Sequence, residues 1–114
     1  MTAKQEIRAS VVIPTFNRLA DLQAVIAAVV AQIGTSPWPC TVIVVDDGSN
    51  DGTADWLEKS GPDLGLTVLH QANSGPARAR NRGVEAAKGE LVLFLGDDTE
   101  PQPGWLVEHL EAHR

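Results

Sequence analysis

The sequence predicts an α/β domain with a mainly parallel four-stranded sheet flanked by helices. Two observations carry that expectation. Four short apolar runs alternate with four segments of helical character along the 114 residues, the order that builds βα units joined by right-handed crossovers. The second run, Thr41 to Val45, is almost continuously apolar and β-branched, as a strand covered on both faces reads.

The first run is Ser10 to Ile13. Leu22, Val25, Ile26, Val29 and Val30 then recur at helical spacing, and Gly34 closes that helix. After the strand at Thr41 to Val45, Asn50 or Asp51 can cap a second helix carrying Trp56 and Leu57, which Gly61-Pro62 is expected to end. Leu66 to Leu69 is the third strand. Ser74-Gly75-Pro76 opens the third helix, because proline suits the first helical position, and the helix runs through Ala79, Val84 and Ala87 to a stop at Gly89. Leu91 to Leu95 is the fourth strand, and Gly104 to His113 is the closing helix. No internal repeat, low-complexity tract or linker divides the chain, so one domain is expected.

Bulk properties exclude several classes. A hydrophobic fraction of 43% supports a packed core over disorder. The net charge of -6 would repel a phosphate backbone, which argues against nucleic-acid binding but leaves room for a small phosphate ligand held by local groups. No stretch approaches the roughly 18 apolar residues of a membrane span, and the first residues lack the apolar region of a signal peptide. The chain is therefore expected to be soluble and cytoplasmic. Cys40 is the single cysteine, which rules out an intrachain disulfide and reads as a small buried hydrophobe. Trp38, Trp56 and Trp105 read as core or rim packing.

Ligands of open parallel sheets bind beyond the carboxyl ends of the strands. Polar and flexible segments follow every apolar run here: Pro14-Thr15-Phe16-Asn17-Arg18, Asp46 to Gly52, His70 to Gly75, and Gly96-Asp97-Asp98-Thr99. Asp97 and Asp98 leave a buried strand side by side, and a hard divalent cation would relieve their repulsion; the same residues also suit an ordinary turn. Asp46 and Asp47 can accept hydrogen bonds from a base or a ribose, or can cap a helix. Arg18 precedes a helix N-terminus and can hold a diphosphate or simply be solvated. Arg78 and Arg82 share one helix face while Arg80 points elsewhere, and Asn81, on the side of Ala77 and Val84, is expected to be buried and hydrogen-bonded. His70, His109 and His113 form no metal-like constellation in the sequence, and the last two read as surface residues.

Together these segments resemble the opening of family 2 glycosyltransferases. Ser10 to Arg18 resembles the family's first strand and loop, and Val44 to Thr53 its most recognisable stretch. Asn73 to Gly83 resembles the third-helix signature, and Gly89 to Asp98 the strand that ends in the metal-binding Asp-X-Asp motif. The resemblance implies a Rossmann-like GT-A nucleotide-binding half. It implies that Pro14, Thr15, Asn17 and Arg18 line the nucleotide pocket, and that Asp47 recognises the base, typically uracil, with Asp46 beside it. It also implies that Asp98 ligates manganese or magnesium, and that Asp97 contacts the ribose or the metal through water. Arg80 and Asn81 match the helix signature with less uniform roles. Gly96 stands where many members carry an aspartate, which leaves open which carboxylate binds the metal.

The implied reaction is transfer of a sugar, with inversion, from a nucleotide diphosphate donor (a UDP-sugar first) to an acceptor hydroxyl on a glycan, lipid carrier or small molecule. A metal and an arginine stabilise the charge on the departing diphosphate. In the family the general base lies well after Asp-X-Asp, where this chain continues for about one helix. The chain is therefore expected to be a fragment that binds donor without completing transfer. Its exposed edge would favour self-association, and the full-length protein could meet a membrane. A non-catalytic nucleotide-binding or interaction module is the alternative. A nucleotidyltransferase would want a glycine-rich basic loop after the first strand, and a receiver domain a late lysine after a further strand.

Overall fold

The computed structural model describes residues 7–113. Eight elements follow one another: β1 (Ala9–Thr15), α1 (Leu19–Gly34), β2 (Cys40–Asp46), α2 (Thr53–Leu64), β3 (Leu66–His70), α3 (Pro76–Ala86), β4 (Leu91–Phe94) and α4 (Trp105–Ala112). The strands form one sheet in the order β3-β2-β1-β4, every neighbouring pair parallel. The alternation expected from the apolar runs is present.

The chain steps from β1 to β2 to β3 in one direction, then crosses back to set β4 on the free side of β1. A right-handed crossover that reverses direction has to pass over the opposite face of the sheet. The core divides accordingly. On one face α1, α2 and α4 bury Leu22, Ile26, Leu57, Leu106 and Leu110 against Val11, Ile13, Val42 and Val44. On the other, Ala79 of α3 packs with Val12, Ile43 and Val45.

α3 lies close to the sheet because its inward face is small. Gly83 is buried, and a Cβ there would stand 2.3 Å from Val12 Cγ1. This rotation corrects the expectation for Asn81, which is exposed, as is Val84. Turning the Ala79–Gly83 stripe inward allows a closer approach than an asparagine and a valine would.

Gly61-Pro62 does not end α2. The helix continues to Leu64 and stops at Gly65, whose φ of 72° is left-handed and whose N–H donates to the Pro62 carbonyl. Pro62 stands in the last turn, and Gly61 lets the helix settle on β3, where a Cβ would lie 3.1 Å from Val68 Cγ2. The N-cap residue of α2 is Gly52, not Asn50 or Asp51 as expected, but Asp51 just before it serves two helices. Its Oδ1 accepts from the Thr53 N–H and hydroxyl, and its Oδ2 from the Leu19 N–H at 3.2 Å. The three tryptophans are partly buried against the core. Cys40 is half-buried, not fully buried as expected, and burial is the main cause of its raised thiol pKa. Among the described residues no helix is long and apolar enough to cross a membrane.

Candidate functional site

The reversal of strand order falls between β1 and β4, and a cleft of about 480 Å³ opens at the carboxyl ends of the strands, in the size range of small-ligand sites. Every strand end contributes to its wall. Pro14, Thr15, Phe16 and Arg18 follow β1, Asp47 follows β2, Asn73 and Gly75 follow β3, and Asp97 follows β4. A smaller hollow of about 280 Å³ adjoins it, sharing Pro14, Pro76 and Asp97 and adding Arg80 and Phe94.

Thr15 ends β1 with its side chain buried, and its hydroxyl donates to Asp97 Oδ2 at 2.9 Å. Asn17 then takes a left-handed φ of 52°, a conformation asparagine tolerates better than most residues. Its Oδ1 accepts from the Asn50 N–H at 2.8 Å and its own N–H donates to Ser49 Oγ at 2.9 Å, pinning the loop after β1 to the loop after β2. That turn aims Arg18 at the end of β4. The guanidinium lies 3.7 Å from Asp97 Oδ1 and 3.5 Å from Asp98 Oδ2. Burial raises the Asp97 pKa, and the Asp98 charge adds to it, against the Thr15 hydroxyl and the Arg18 charge. Two carboxylates thus face one cationic group.

Asp47 is the other focus. It is buried at 4% exposure, and the segment after β3 folds around it. Oδ1 accepts from the Gln71 side-chain amide at 2.8 Å and the Ser74 N–H at 2.7 Å. Oδ2 accepts from the Gly75 N–H at 3.0 Å and the Asn73 side-chain amide at 3.3 Å. Burial alone would raise its pKa, but the Gln71, Ser74 and Gly75 donors outweigh burial and hold it below the usual carboxylate value. Four bonds fill about the whole acceptor capacity of a carboxylate. Gly48 makes room for this wrapping. Its φ is 79°, and a Cβ there would meet the Asn73 backbone nitrogen at 2.8 Å.

Of the residues singled out in the sequence, Pro14, Thr15, Arg18, Asp47 and Asp97 share the cleft wall, and Arg80 lines the adjoining hollow. Three do not line the cleft. Asn17 shapes the loop from an exposed position, and Asp98 faces Arg18 at half exposure. Asp46 is buried on the other face of the sheet, because successive strand residues alternate. Its Oδ1 accepts from the Ser49 N–H at 3.1 Å and its Oδ2 meets His70 Nδ1 at 3.2 Å. The sequence sets Gln71, Asn73, Ser74 and Gly75 among the polar residues after a strand, and Asn73 to Gly75 at the opening of the third-helix signature, but links none of them to Asp47. Their position one step beyond a strand parallel to the Asp46-Asp47 strand was the available signal.

Among the described residues no three His, Cys, Asp or Glu side chains gather into a metal cage. Asp97 and Asp98 nonetheless converge on one cation, Arg18, from two carboxylates. That donor set suits magnesium or manganese with coordination positions left for phosphate oxygens and water.

Residues 10–114 match the family model described as Glycosyl transferase family 2. The chain belongs to glycosyl transferase family 2. It is 36% identical to the uncharacterized glycosyltransferase YibD of Escherichia coli (strain K12) over 97 residues, covering 82% of this chain and 27% of that one. Among solved structures it is similar to S. aureus TarS 1-349 in complex with UDP-GlcNAc, with a TM-score of 0.79, 30% identity, and coverage of 92% of this chain and 30% of that one. It is also similar to the mannosyltransferase PcManGT from Pyrobaculum calidifontis in complex with GDP-Man and Mn2+, with a TM-score of 0.70, 27% identity, and coverage of 87% and 29%. The chain therefore spans under a third of the length of these relatives. Its four-stranded parallel sheet flanked by helices has the GT-A fold that the resemblance implied.

Proposed function

We propose that this region binds the nucleotide diphosphate of a sugar donor, a UDP-sugar first, and provides the donor side of an inverting, metal-dependent transfer to an acceptor hydroxyl. The observation that carries the reading is the convergence of Thr15, Arg18, Asp47 and Asp97 from three separate strand ends on one cleft at the reversal of strand order.

The base stands against Asp47. A uracil N3–H accepted there replaces the Asn73 amide, the longest of the four bonds that Asp47 accepts, and the Gln71, Ser74 and Gly75 donors keep the carboxylate ionised and oriented. Asp97, held by the Thr15 hydroxyl, faces the ribose side. Arg18, at the head of α1, offers a cation and a helix N-terminus to the diphosphate, and the donor brings its own negative charge to offset the two carboxylates. Asp97 and Asp98 would hold manganese or magnesium. Such an ion supplies charge neutralisation on the departing diphosphate. The general base and the acceptor site belong, in this reading, to parts of the full enzyme other than this region. The acceptor is a glycan, a lipid carrier or a small molecule.

The test is calorimetric titration with UDP, with and without Mn2+, of the wild type and Asp98→Ala, using GDP and dTDP as base controls. Metal-dependent binding that prefers UDP and is lost in the variant is the expected result. A folded wild type that binds none of the three nucleotides would overturn the reading and leave the interaction-module alternative.

A further inference from the structure

Outside the cleft, the described residues contain one cluster of titratable side chains that the donor site does not use. His70 ends β3 in register with Asp46 of β2, which is in register with Thr15 of β1. The three therefore form one row across the sheet at its carboxyl edge. His70 stands between two carboxylates. Its Nδ1 is 3.2 Å from Asp46 Oδ2, and its Nε2 is 3.0 Å from Glu58 Oε2 on α2. Its carbonyl accepts from Arg82 Nη1 of α3 at 2.5 Å. Charged side chains thus reach the end of β3 from three elements: Asp46 from β2, Glu58 from α2 and Arg82 from α3.

What this cluster holds is the segment that wraps Asp47. The residue after His70 is Gln71, whose backbone N–H donates to the Asp46 carbonyl at 3.0 Å and whose side-chain amide donates to Asp47 Oδ1 at 2.8 Å. Ser74 and Gly75, a few residues on, supply the two backbone donors to the same carboxylate. The second oxygen of Asp46 receives the Ser49 N–H, and Ser49 receives the Asn17 N–H. The Asp46-His70 pair at the carboxyl edge of the sheet therefore anchors both loops that shape the cleft.

We infer that His70, clamped between Asp46 and Glu58, is a positioning residue for the nucleotide cleft, tying the ends of β2 and β3 together so that Gln71 to Gly75 close around Asp47. The inference rests on the donor-site reading above and deepens it. An imidazolium donates from both ring nitrogens, whereas a neutral ring donates from one and sets a lone pair against the other carboxylate. The clamp is complete only when His70 is protonated. The Glu58 carboxylate foremost, and Asp46 with it, raise the His70 pKa above its ordinary 6.5 against the effect of partial burial. The clamp is therefore fully present below pH 6.5 and is lost as pH rises through the raised value.

Two measurements on wild type, His70→Gln and His70→Ala decide it. The first is amide hydrogen exchange without nucleotide. In His70→Ala the Ser74 and Gly75 amides exchange at least about tenfold faster, a loss of about 1.4 kcal/mol of local protection, while amides of α1 keep their wild-type rates. The second is the pH profile of UDP-GlcNAc affinity with Mn2+, a donor whose diphosphate diester has no proton to lose near neutrality. From about pH 6 to about pH 8.5, a range that brackets histidine titration, wild-type affinity falls several-fold and His70→Gln is flat. A purely structural histidine would not impose that difference. Unchanged Ser74 and Gly75 exchange in His70→Ala, or a wild-type pH profile in His70→Gln, overturns the inference. A wild type that binds no UDP-GlcNAc defeats the donor reading instead, and the exchange comparison still decides whether His70 orders the segment.

Discussion

Replacing Gly83 by alanine sets helix propensity against packing, and the structure says which wins. In an exposed helix the change would stabilise by about 1 kcal/mol. Here the new Cβ would lie 2.3 Å from Val12 Cγ1, 3.2 Å from Cγ2 and 3.3 Å from Cβ. Carbon atoms prefer about 3.5–4.0 Å, so α3 would have to retreat by about 1 Å or more. Val12 cannot yield, because it is fully buried on the central strand and paired with Ile43 on one side and Phe94 on the other. Overpacking of this severity belongs at the upper end of its usual range, about 3 kcal/mol, and the propensity gain leaves a net loss of about 2 kcal/mol. With a denaturant slope of about 2 kcal/mol/M, the urea midpoint falls by about 1 M. Because α3 carries Pro76 and Ala79 on the cleft wall, nucleotide affinity should fall with it. Combining Gly83→Ala with Val12→Ala removes the methyl groups responsible, so the double variant should lose less than the sum of the single losses. A Gly83→Ala protein as stable as wild type would refute the close-approach argument.

Two further outcomes follow from the loops. Asn17→Ala keeps the backbone in a left-handed conformation without the Oδ1 that accepts from Asn50, and should cost about 1–2 kcal/mol in chemical denaturation; Asn17→Gly should cost less, since glycine accepts that φ. Asp47 has a pKa below its ordinary 3.8, so its contribution to stability is fully present above that value and disappears as pH falls further through the folded-state pKa. Acid titration of stability should therefore be steeper for wild type than for Asp47→Asn below pH 3.8, and equal slopes would contradict the donor network around that carboxylate.

Much of this protein was legible as a one-dimensional pattern. Thr41 to Val45 reads as a strand buried on both faces because its β-branched run has no polar alternation, and it became β2 of a parallel sheet. Pro76 marked the first residue of α3. The motif loops fell at one sheet edge because each follows a strand in a parallel arrangement. Breaker chemistry was less reliable. Gly61-Pro62 looked like a helix end, yet a proline in the last turn sacrifices little, and contact with β3 carried α2 on to Gly65.

The sequence by itself determined the order of elements, the sheet edge that holds the polar loops, and family membership, because local periodicity and short motifs are written in neighbouring residues. Tertiary structure alone decided three matters that bear on function. It turned Ala79 and Gly83 of α3 inward in place of Asn81. It sent Asp47 to the cleft and Asp46 to His70 on the opposite face. It set Arg18 between Asp97 and Asp98, about eighty residues further along the chain. The physical reason is common to all three. Strand register and a reversed crossover are settled by contacts between residues distant in sequence, and their energies depend on what stands opposite, which no local pattern records.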